Sequence, residues 1–262
     1  MKFINNKTSN NKAGVRANIN YSNPLDQFRY FESLHYTYNK VVLDIACGIG
    51  WGSYLIAKSG ALKCVGVDIS KIAINTAKDT FISPNLEFVL SEENYIPLLD
   101  DTFDTVVSFE TFEHLTNVEK FFGEIQRISK NNSICLISTP NKTLFNSDKD
   151  DIPHNPFHYR EYIKEEVLII MKKFGFELVE YLGQYNTNDL EEIDRYRKFI
   201  SDYWSLKRFS SKYGKLGKVI EIFLSKFVMK IKDPALSRIC IPNKVKKGFE
   251  PAFHYFVFQL SK

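Results

Sequence analysis

Three side chains that can bind a metal ion or move a proton lie within residues 110–115, whose sequence is ETFEHL. They are Glu110, Glu113 and His114. Two carboxylates and an imidazole suit Mg²⁺ or Mn²⁺ better than a structural zinc ion. If a helix begins at Glu110, its carboxylate lies one turn before the other two groups. The alternative is a turn that only shapes a helix and a pocket.

A second polar group follows in residues 154–162, with the sequence HNPFHYREY. It contains His154 and His158, and either could complete a metal site with the first group; we favour His158. Without a metal ion, the candidate general bases are these two histidines and His114, because imidazole titrates near neutral pH. The alternative is that the histidines only form hydrogen bonds within a loop.

A short apolar run, residues 41–45, precedes glycines at the alternate positions Gly48, Gly50 and Gly52. The run predicts a buried parallel strand, and a helical pattern follows it. Glycine lets the backbone turn sharply and lets a ligand come close, and a helix start offers unpaired N–H groups. Together they predict a nucleotide-type cradle, although a tight turn in any α/β protein can have this pattern.

The acid Asp68 lies near the end of the next predicted strand, residues 63–69. In a doubly wound fold, an acid at this position can accept hydrogen bonds from ribose hydroxyls. The alternative is a carboxylate that only favours the following helix through the helix dipole. Ser70 is a suitable N-cap for that helix.

Strand and helix patterns alternate along most of the chain, which predicts an α/β, Rossmann-like doubly wound sheet. Further strands are expected at residues 86–90, 103–109, 133–138, 176–182 and 252–260, and helices at 25–38, 71–80, 118–128 and 162–174. We expect one domain, 1–262. It comprises an N-terminal helical segment (1–38), a core (39–183), a basic helical insertion or lid (184–250) and a final strand (251–262).

Basic residues are concentrated late in a chain of 262 residues with a net charge of +4. Residues 195–247 hold fifteen lysines and arginines but only three acids. Such a charge suits an anionic acceptor: a sugar nucleotide, a phosphorylated glycan or a nucleic acid. The alternative is a solvated amphipathic face packed on the core. The helical pattern of residues 216–231 also allows contact with a membrane surface or another subunit.

The four cysteines form no CxxC pair, and three of them fall in or beside apolar strand-like runs. Residues 1–12 are polar, and no apolar run approaches the roughly 18 residues that a membrane span needs. These patterns predict a reduced, cytoplasmic protein.

The run LDIACGIGWG at residues 43–52, followed by GVDIS at 66–70, resembles the class I S-adenosylmethionine (SAM)-dependent methyltransferases. Residues 86–93 and 103–107 resemble that family's third and fourth strands. The resemblance implies SAM as cofactor and a seven-stranded sheet with an antiparallel last strand. The SAM-binding residues that it implies are Asp44, Ala46, Cys47, Gly48, Gly50, Asp68, Ile69, Glu92, Glu93 and Phe109, with Glu92 at the adenine amino group.

The ExxEH motif at residues 110–114, with a downstream histidine, resembles metal-dependent O-methyltransferases, including small-RNA 2′-O-methyltransferases. Residues 155–162 resemble methyltransferases of bacterial capsule and lipopolysaccharide pathways. The resemblance implies Glu110, Glu113, His114 and His158 as ligands of Mn²⁺ or Mg²⁺. The implied acceptor is an oxygen of a surface-polysaccharide component or its activated, phosphorylated precursor, on a sugar or phosphoramidate group.

Two alternatives remain open at this point. Aromatic residues interleave the basic segment, as in a protein that stacks RNA bases, so the acceptor could be an RNA 2′-hydroxyl. The chain could also be a non-catalytic scaffold, such as a partner of a glycosyltransferase. We expect a small anionic or carbohydrate acceptor rather than a nucleic acid, and the oligomeric state stays open.

Overall fold

The computed structural model describes residues 24–93, 95–145, 153, 155–184, 243–245 and 251–262. The helices are α1 (Pro24–Thr37), α2 (Trp51–Lys58), α3 (Lys71–Thr80), α4 (Val118–Ile128), α5 (Lys142–Phe145) and α6 (Lys164–Lys173), with a 3₁₀ turn at Phe112–His114. The strands are β1 (Val41–Ile45), β2 (Lys63–Asp68), β3 (Leu86–Leu90), β4 (Phe103–Phe109), β5 (Ser129–Pro140), β6 (Phe176–Gln184), β7 (Asn243–Lys244) and β8 (Phe253–Leu260). The segment 1–23 and the helical segments expected within the basic insertion, at 190–209 and 216–231, lie outside the described residues.

All the strands join one sheet in the order β3-β2-β1-β4-β5-β8-β6-β7. The first five pair in parallel, and β8 runs antiparallel between β5 and β6. The predicted Rossmann-like sheet with an antiparallel last strand is therefore confirmed. The two-residue β7 pairs with the edge of β6, and it comes from the segment predicted as the insertion.

Local chemistry explains where several elements begin and end. Ser70 caps α3, because its Oγ accepts a hydrogen bond from the backbone N–H of Ala73. The helix α6 begins at Lys164 rather than at residue 162, since Ile163 is extended and its N–H donates to the Glu166 carboxylate. The strand β5 is longer than predicted at both ends, and seven of its residues pair with β8.

Two helical layers cover the sheet. On one face, α1 and α2 pack through Leu34, Leu55 and Ile56. On the other face, α4 and α6 pack through Phe122 and Met171. The central parallel strands are buried on both faces, which explains their near-continuous apolar sequences. The carboxyl ends of β1, β2, β4 and β5 then meet at one edge, where open α/β sheets bind ligands.

The helix α1 is joined to both strands that flank the predicted insertion. Gln184, which ends β6, pairs in register with Phe253, which begins β8. The buried Arg29 donates from Nε to Gln184 Oε1 at 2.7 Å, and its guanidinium lies 4.6 Å from the centre of the Phe253 ring. The two ends of the insertion are thus held side by side.

Three cysteines, Cys47, Cys64 and Cys135, are buried free thiols. Burial raises the pKa of each thiol above its ordinary value. Among the described residues, no helix combines the length and the apolar character that crossing a membrane requires.

Candidate active site

The first half of the site is the glycine loop, residues 46–50, between β1 and α2. Ala46, Gly48 and Gly50 all have positive φ angles, of 58°, 56° and 84°. A Cβ atom added at Gly48 would meet no heavy atom within 4 Å, whereas one at Gly50 would lie 2.5 Å from the Phe88 ring. Gly50 is therefore required for packing, and Gly48 leaves open space for a ligand.

Asp68 holds the glycine loop in place. Its Oδ2 accepts a hydrogen bond from the Gly48 N–H at 2.9 Å, and its Oδ1 accepts one from the Ser70 N–H at 2.8 Å. Each carboxylate oxygen has a second lone pair, so the group can still accept from a ligand hydroxyl. The ribose contact expected for Asp68 stays a prediction.

Asp44 lies beneath the glycine loop and is fully buried. It accepts hydrogen bonds from the Tyr30 hydroxyl at 3.0 Å and from Ser53 Oγ at 2.6 Å. Burial, helped by the charge of Asp68, raises the pKa of Asp44 to about 7. The carboxyl group thus joins β1 to α1 and α2, and its expected contact with a cofactor stays a prediction.

The other residues expected to bind SAM lie near the same edge, with different exposures. Cys47 and Phe109 are buried, Ile69 is half exposed, and Glu92 and Glu93 are exposed. The Phe109 ring packs edge-on against Tyr30. Their expected roles in binding SAM stay predictions.

The second half of the site is the histidine cluster, which we define as Glu113, His114 and His158. One ligand atom from each residue lies within 4.8 Å of the others. Two backbone hydrogen bonds hold the segments together, because the N–H groups of Tyr159 and Arg160 both donate to the Glu113 carbonyl oxygen. The sequence separates the two histidines, and the fold brings their rings to a centroid distance of 4.9 Å.

Glu113 is the buried member of the histidine cluster. Its Oε2 accepts a hydrogen bond from Thr139 Oγ1 at 2.9 Å, and its Oε1 lies 3.8 Å from His114 Nε2. Burial, with the nearby charge of Glu110, raises the pKa of Glu113 well above its ordinary value. A carboxylate and two imidazoles form a donor set that a divalent transition metal can use.

Glu110 lies outside this cluster. No helix begins at Glu110, because the residue has a φ angle of 50° and the 3₁₀ turn starts only at Phe112. Its Oε1 accepts from Ser138 Oγ at 2.9 Å and lies 3.5 Å from Arg29 Nη1. These contacts join the carboxylate to β5 and α1, and the expected role of Glu110 as a metal ligand stays a prediction.

Two neighbours of His158 were missed in the sequence. His158 Nδ1 lies 2.8 Å from Glu161 Oε1, and its Nε2 lies 2.7 Å from Asn155 Nδ2. An acid three residues after a histidine was the available signal for Glu161. The third expected base, His154, lies outside the described residues.

Comparisons with known proteins agree with this geometry. Residues 43–137 match a family described as a methyltransferase domain. A Mycolicibacterium smegmatis protein, named a probable S-adenosylmethionine-dependent methyltransferase, is 31% identical over 165 residues, which are 63% of this chain and 63% of its own length. Norajmaline N-methyltransferase of Rauvolfia serpentina is 33% identical over 94 residues, 34% of this chain and 32% of its own. The chain thus spans less than two thirds of either relative.

The fold agrees as well. The crystal structure of an S-adenosylmethionine-dependent methyltransferase from Mesorhizobium loti matches with a TM-score of 0.55 at 12% identity, over 90% of this chain and 99% of that one. At this identity the likeness concerns the fold alone. Residues 43–137 therefore resemble a methyltransferase domain in sequence, and the chain has the α/β Rossmann-like fold of a solved methyltransferase.

Proposed function

We propose that the chain is a SAM-dependent methyltransferase. The observation that carries the proposal is the glycine loop, open at Gly48 and held by Asp68. The domain match covers both residues. When bound, SAM supplies a methyl group on a positively charged sulfur, which is already a good electrophile. The residues that would hold it are Asp44, Ala46, Cys47, Gly48, Gly50, Asp68, Ile69, Glu92, Glu93 and Phe109.

The acceptor that we propose is an oxygen of a bacterial surface-polysaccharide component or of its activated, phosphorylated precursor. Two observations support an anionic acceptor with a hydroxyl group. The chain has fifteen basic residues between 195 and 247, and the histidine cluster provides proton acceptors near the sheet edge that carries the glycine loop. The resemblance of residues 155–162 to capsule-pathway methyltransferases supports the choice of pathway.

Methyl transfer to a hydroxyl also requires a place for its proton. As the acceptor oxygen takes the methyl group and the carbon–sulfur bond breaks, the O–H proton would pass to an imidazole nitrogen of His158 or His114. Nδ1 of His114 lies 2.9 Å from the carbonyl oxygen of Phe157, and a carbonyl can only accept. Nδ1 therefore carries the proton of the neutral ring, and Nε2 is the basic nitrogen of His114.

A second candidate role for the histidine cluster is a divalent metal site. The 4.8 Å grouping of Glu113, His114 and His158 favours it. A bound Mn²⁺ or Mg²⁺ would lower the pKa of the acceptor hydroxyl. Calorimetry with MnCl₂ checks this independently of activity. We expect binding by the wild type and none by Glu113→Ala, and undiminished methyl transfer after exhaustive chelation would refute a metal requirement.

The experiment that tests the proposed function is calorimetry of the full chain with S-adenosylhomocysteine, and no binding would sink it. Transfer of radiolabelled methyl groups is then measured with nucleotide sugars, phosphorylated oligosaccharides and single-stranded RNA. We expect labelled phosphorylated sugars. Labelled RNA would replace this acceptor with an RNA 2′-hydroxyl, and cofactor binding without any transfer would favour the scaffold alternative.

A further inference from the structure

We propose that Glu161 is a positioning residue that keeps the proton of the neutral His158 ring on Nδ1, so that Nε2 is the basic nitrogen. The inference deepens the proposed function, because it assigns the atom of His158 that receives the acceptor's proton. It concerns Glu161 and Asn155, which belong to neither set of predicted site residues.

The first contact is between two nearly buried groups. The side chains of His158 and Glu161 are 10% and 1% exposed, and Nδ1 lies 2.8 Å from Oε1. An ionised carboxylate only accepts hydrogen bonds, so the proton between the two atoms belongs to Nδ1. The partner of one ring nitrogen sets the chemistry of the other.

The second contact gives the same answer from the opposite side of the ring. Asn155 Oδ1 accepts a hydrogen bond from the Phe157 N–H at 3.1 Å, which identifies that atom as the amide oxygen. The other amide atom, Nδ2, lies 2.7 Å from His158 Nε2. An amide NH₂ group only donates, so Nε2 must accept. Glu161 and Asn155 therefore select the same tautomer.

In the structure the Asn155 amide donates to the Nε2 lone pair, and another hydrogen-bond donor can replace it there. An acceptor hydroxyl that replaces this amide would donate its proton along the same direction. A loop that needed only mechanical support could use neutral groups. Instead, Glu161 is a buried acid whose Oε2 has no hydrogen-bond partner among the described residues, and that costs stability. This cost argues that the carboxyl group is retained for its contact with Nδ1 of the ring.

The test is the tautomeric state of His158 in the full chain, read from long-range ¹H–¹⁵N NMR spectra at neutral pH. The chain has five histidines, so single His→Gln variants assign each signal. We expect the Nδ1–H tautomer in the wild type. In Glu161→Ala the ratio of tautomers should shift at least about tenfold towards Nε2–H, since a hydrogen bond to a charged group is lost.

Three further variants separate positioning from general damage. Glu161→Gln should retain the Nδ1–H tautomer, because an amide oxygen can also accept from Nδ1. Glu165→Ala, at an exposed position in the first turn of α6, should change nothing. If Glu161→Ala does not fold, Asn155→Ala should still show the Nδ1–H tautomer that Glu161 selects.

An Nε2–H tautomer in the wild type, or an unchanged ratio in Glu161→Ala, would overturn the inference. The measurement needs neither SAM nor an acceptor. A failure to bind S-adenosylhomocysteine would therefore contradict the proposed function while leaving the tautomer result intact. An unexpected tautomer would overturn the role of Glu161 while leaving the proposed function intact.

Discussion

The glycine loop and the histidine cluster lie at the same edge of the sheet but are built differently. The glycine loop depends on backbone conformation, with positive φ angles at Ala46, Gly48 and Gly50 and with the Gly48 N–H bound by the Asp68 carboxylate. The histidine cluster depends on side chains from two distant segments. The comparison teaches that the glycine loop, which we propose binds the cofactor, is a local backbone motif. The histidine cluster, which we propose faces the acceptor, can change through side chains alone.

The largest expected effect tests whether burial beneath the glycine loop disfavours the charged form of Asp44. The pKa of Asp44 is raised to about 7 in the fold, so the folded protein binds more protons than the unfolded chain between about pH 4 and 7. This contribution to stability is lost as the pH rises. Between pH 5 and 8, Asp44→Asn should gain about 3 kcal/mol in unfolding free energy relative to the wild type.

Urea unfolding of both proteins at several pH values measures this difference. Asp79→Asn, at an exposed position of α3, is the matched control and should follow the wild type. A difference that stays constant with pH would mean that Asp44 is not held in a raised-pKa state.

Asp68→Ala should weaken binding of S-adenosylhomocysteine by about 10- to 100-fold, the range that follows from losing hydrogen bonds to a charged group. The variant also removes the acceptor that holds the Gly48 N–H. Calorimetry measures the dissociation constant, with Asp79→Ala as control. An unchanged constant would remove Asp68 from the cofactor site.

Two glycine-to-alanine changes should shift stability in opposite directions. At Gly52 a new Cβ atom would lie 2.1 Å from the Tyr30 ring, whose hydroxyl is held by Asp44, so Gly52→Ala should cost about 1–3 kcal/mol. At Gly123, inside α4, the nearest atom is 4.0 Å away. Gly123→Ala should therefore stabilise by about 0.5–1 kcal/mol. Chemical denaturation measures the change in unfolding free energy for both variants. A stabilising change at Gly52 would argue that the residues beneath the glycine loop are not tightly packed.

The smallest effect is expected when a residue of the histidine cluster is changed and binding of the cofactor product is measured. Glu113→Gln keeps the shape of the side chain, whose contacts include those with Thr139 and His114, and leaves unchanged the backbone carbonyl that binds the N–H groups of residues 159 and 160. The dissociation constant for S-adenosylhomocysteine should change less than about twofold, within the scatter of surface changes. A large change would mean that the two halves are energetically coupled.

Much of the fold was predictable because its signals are local. Residues 103–109 combine two phenylalanines and two valines with three short polar residues, a composition that favours a strand, and β4 has those bounds. The glycines and Asp68 were recognised for the same reason, since a turn needs particular residue types at fixed spacing. The ends of β5 were not predictable, because they depend on pairing with β8 across the chain.

The histidine cluster was predictable in composition but not in geometry. The sequence indicated Glu113, His114 and His158, yet it also included Glu110, whose direction depends on Arg29 and Ser138. Glu161 was missed because its role appears only when His158 and Asn155 are seen together. Such contacts arise from tertiary packing, which local patterns do not contain.

The pairing of Gln184 with Phe253 has a consequence for engineering the protein. These two residues end β6 and begin β8, and Arg29 contacts both. The two-residue β7, which lies between them in sequence, pairs with the edge of β6. Closely spaced ends are where folds tolerate insertions and replacements. We therefore expect that the sequence between them can be replaced by another one. Such a replacement should leave β6 and β8 paired.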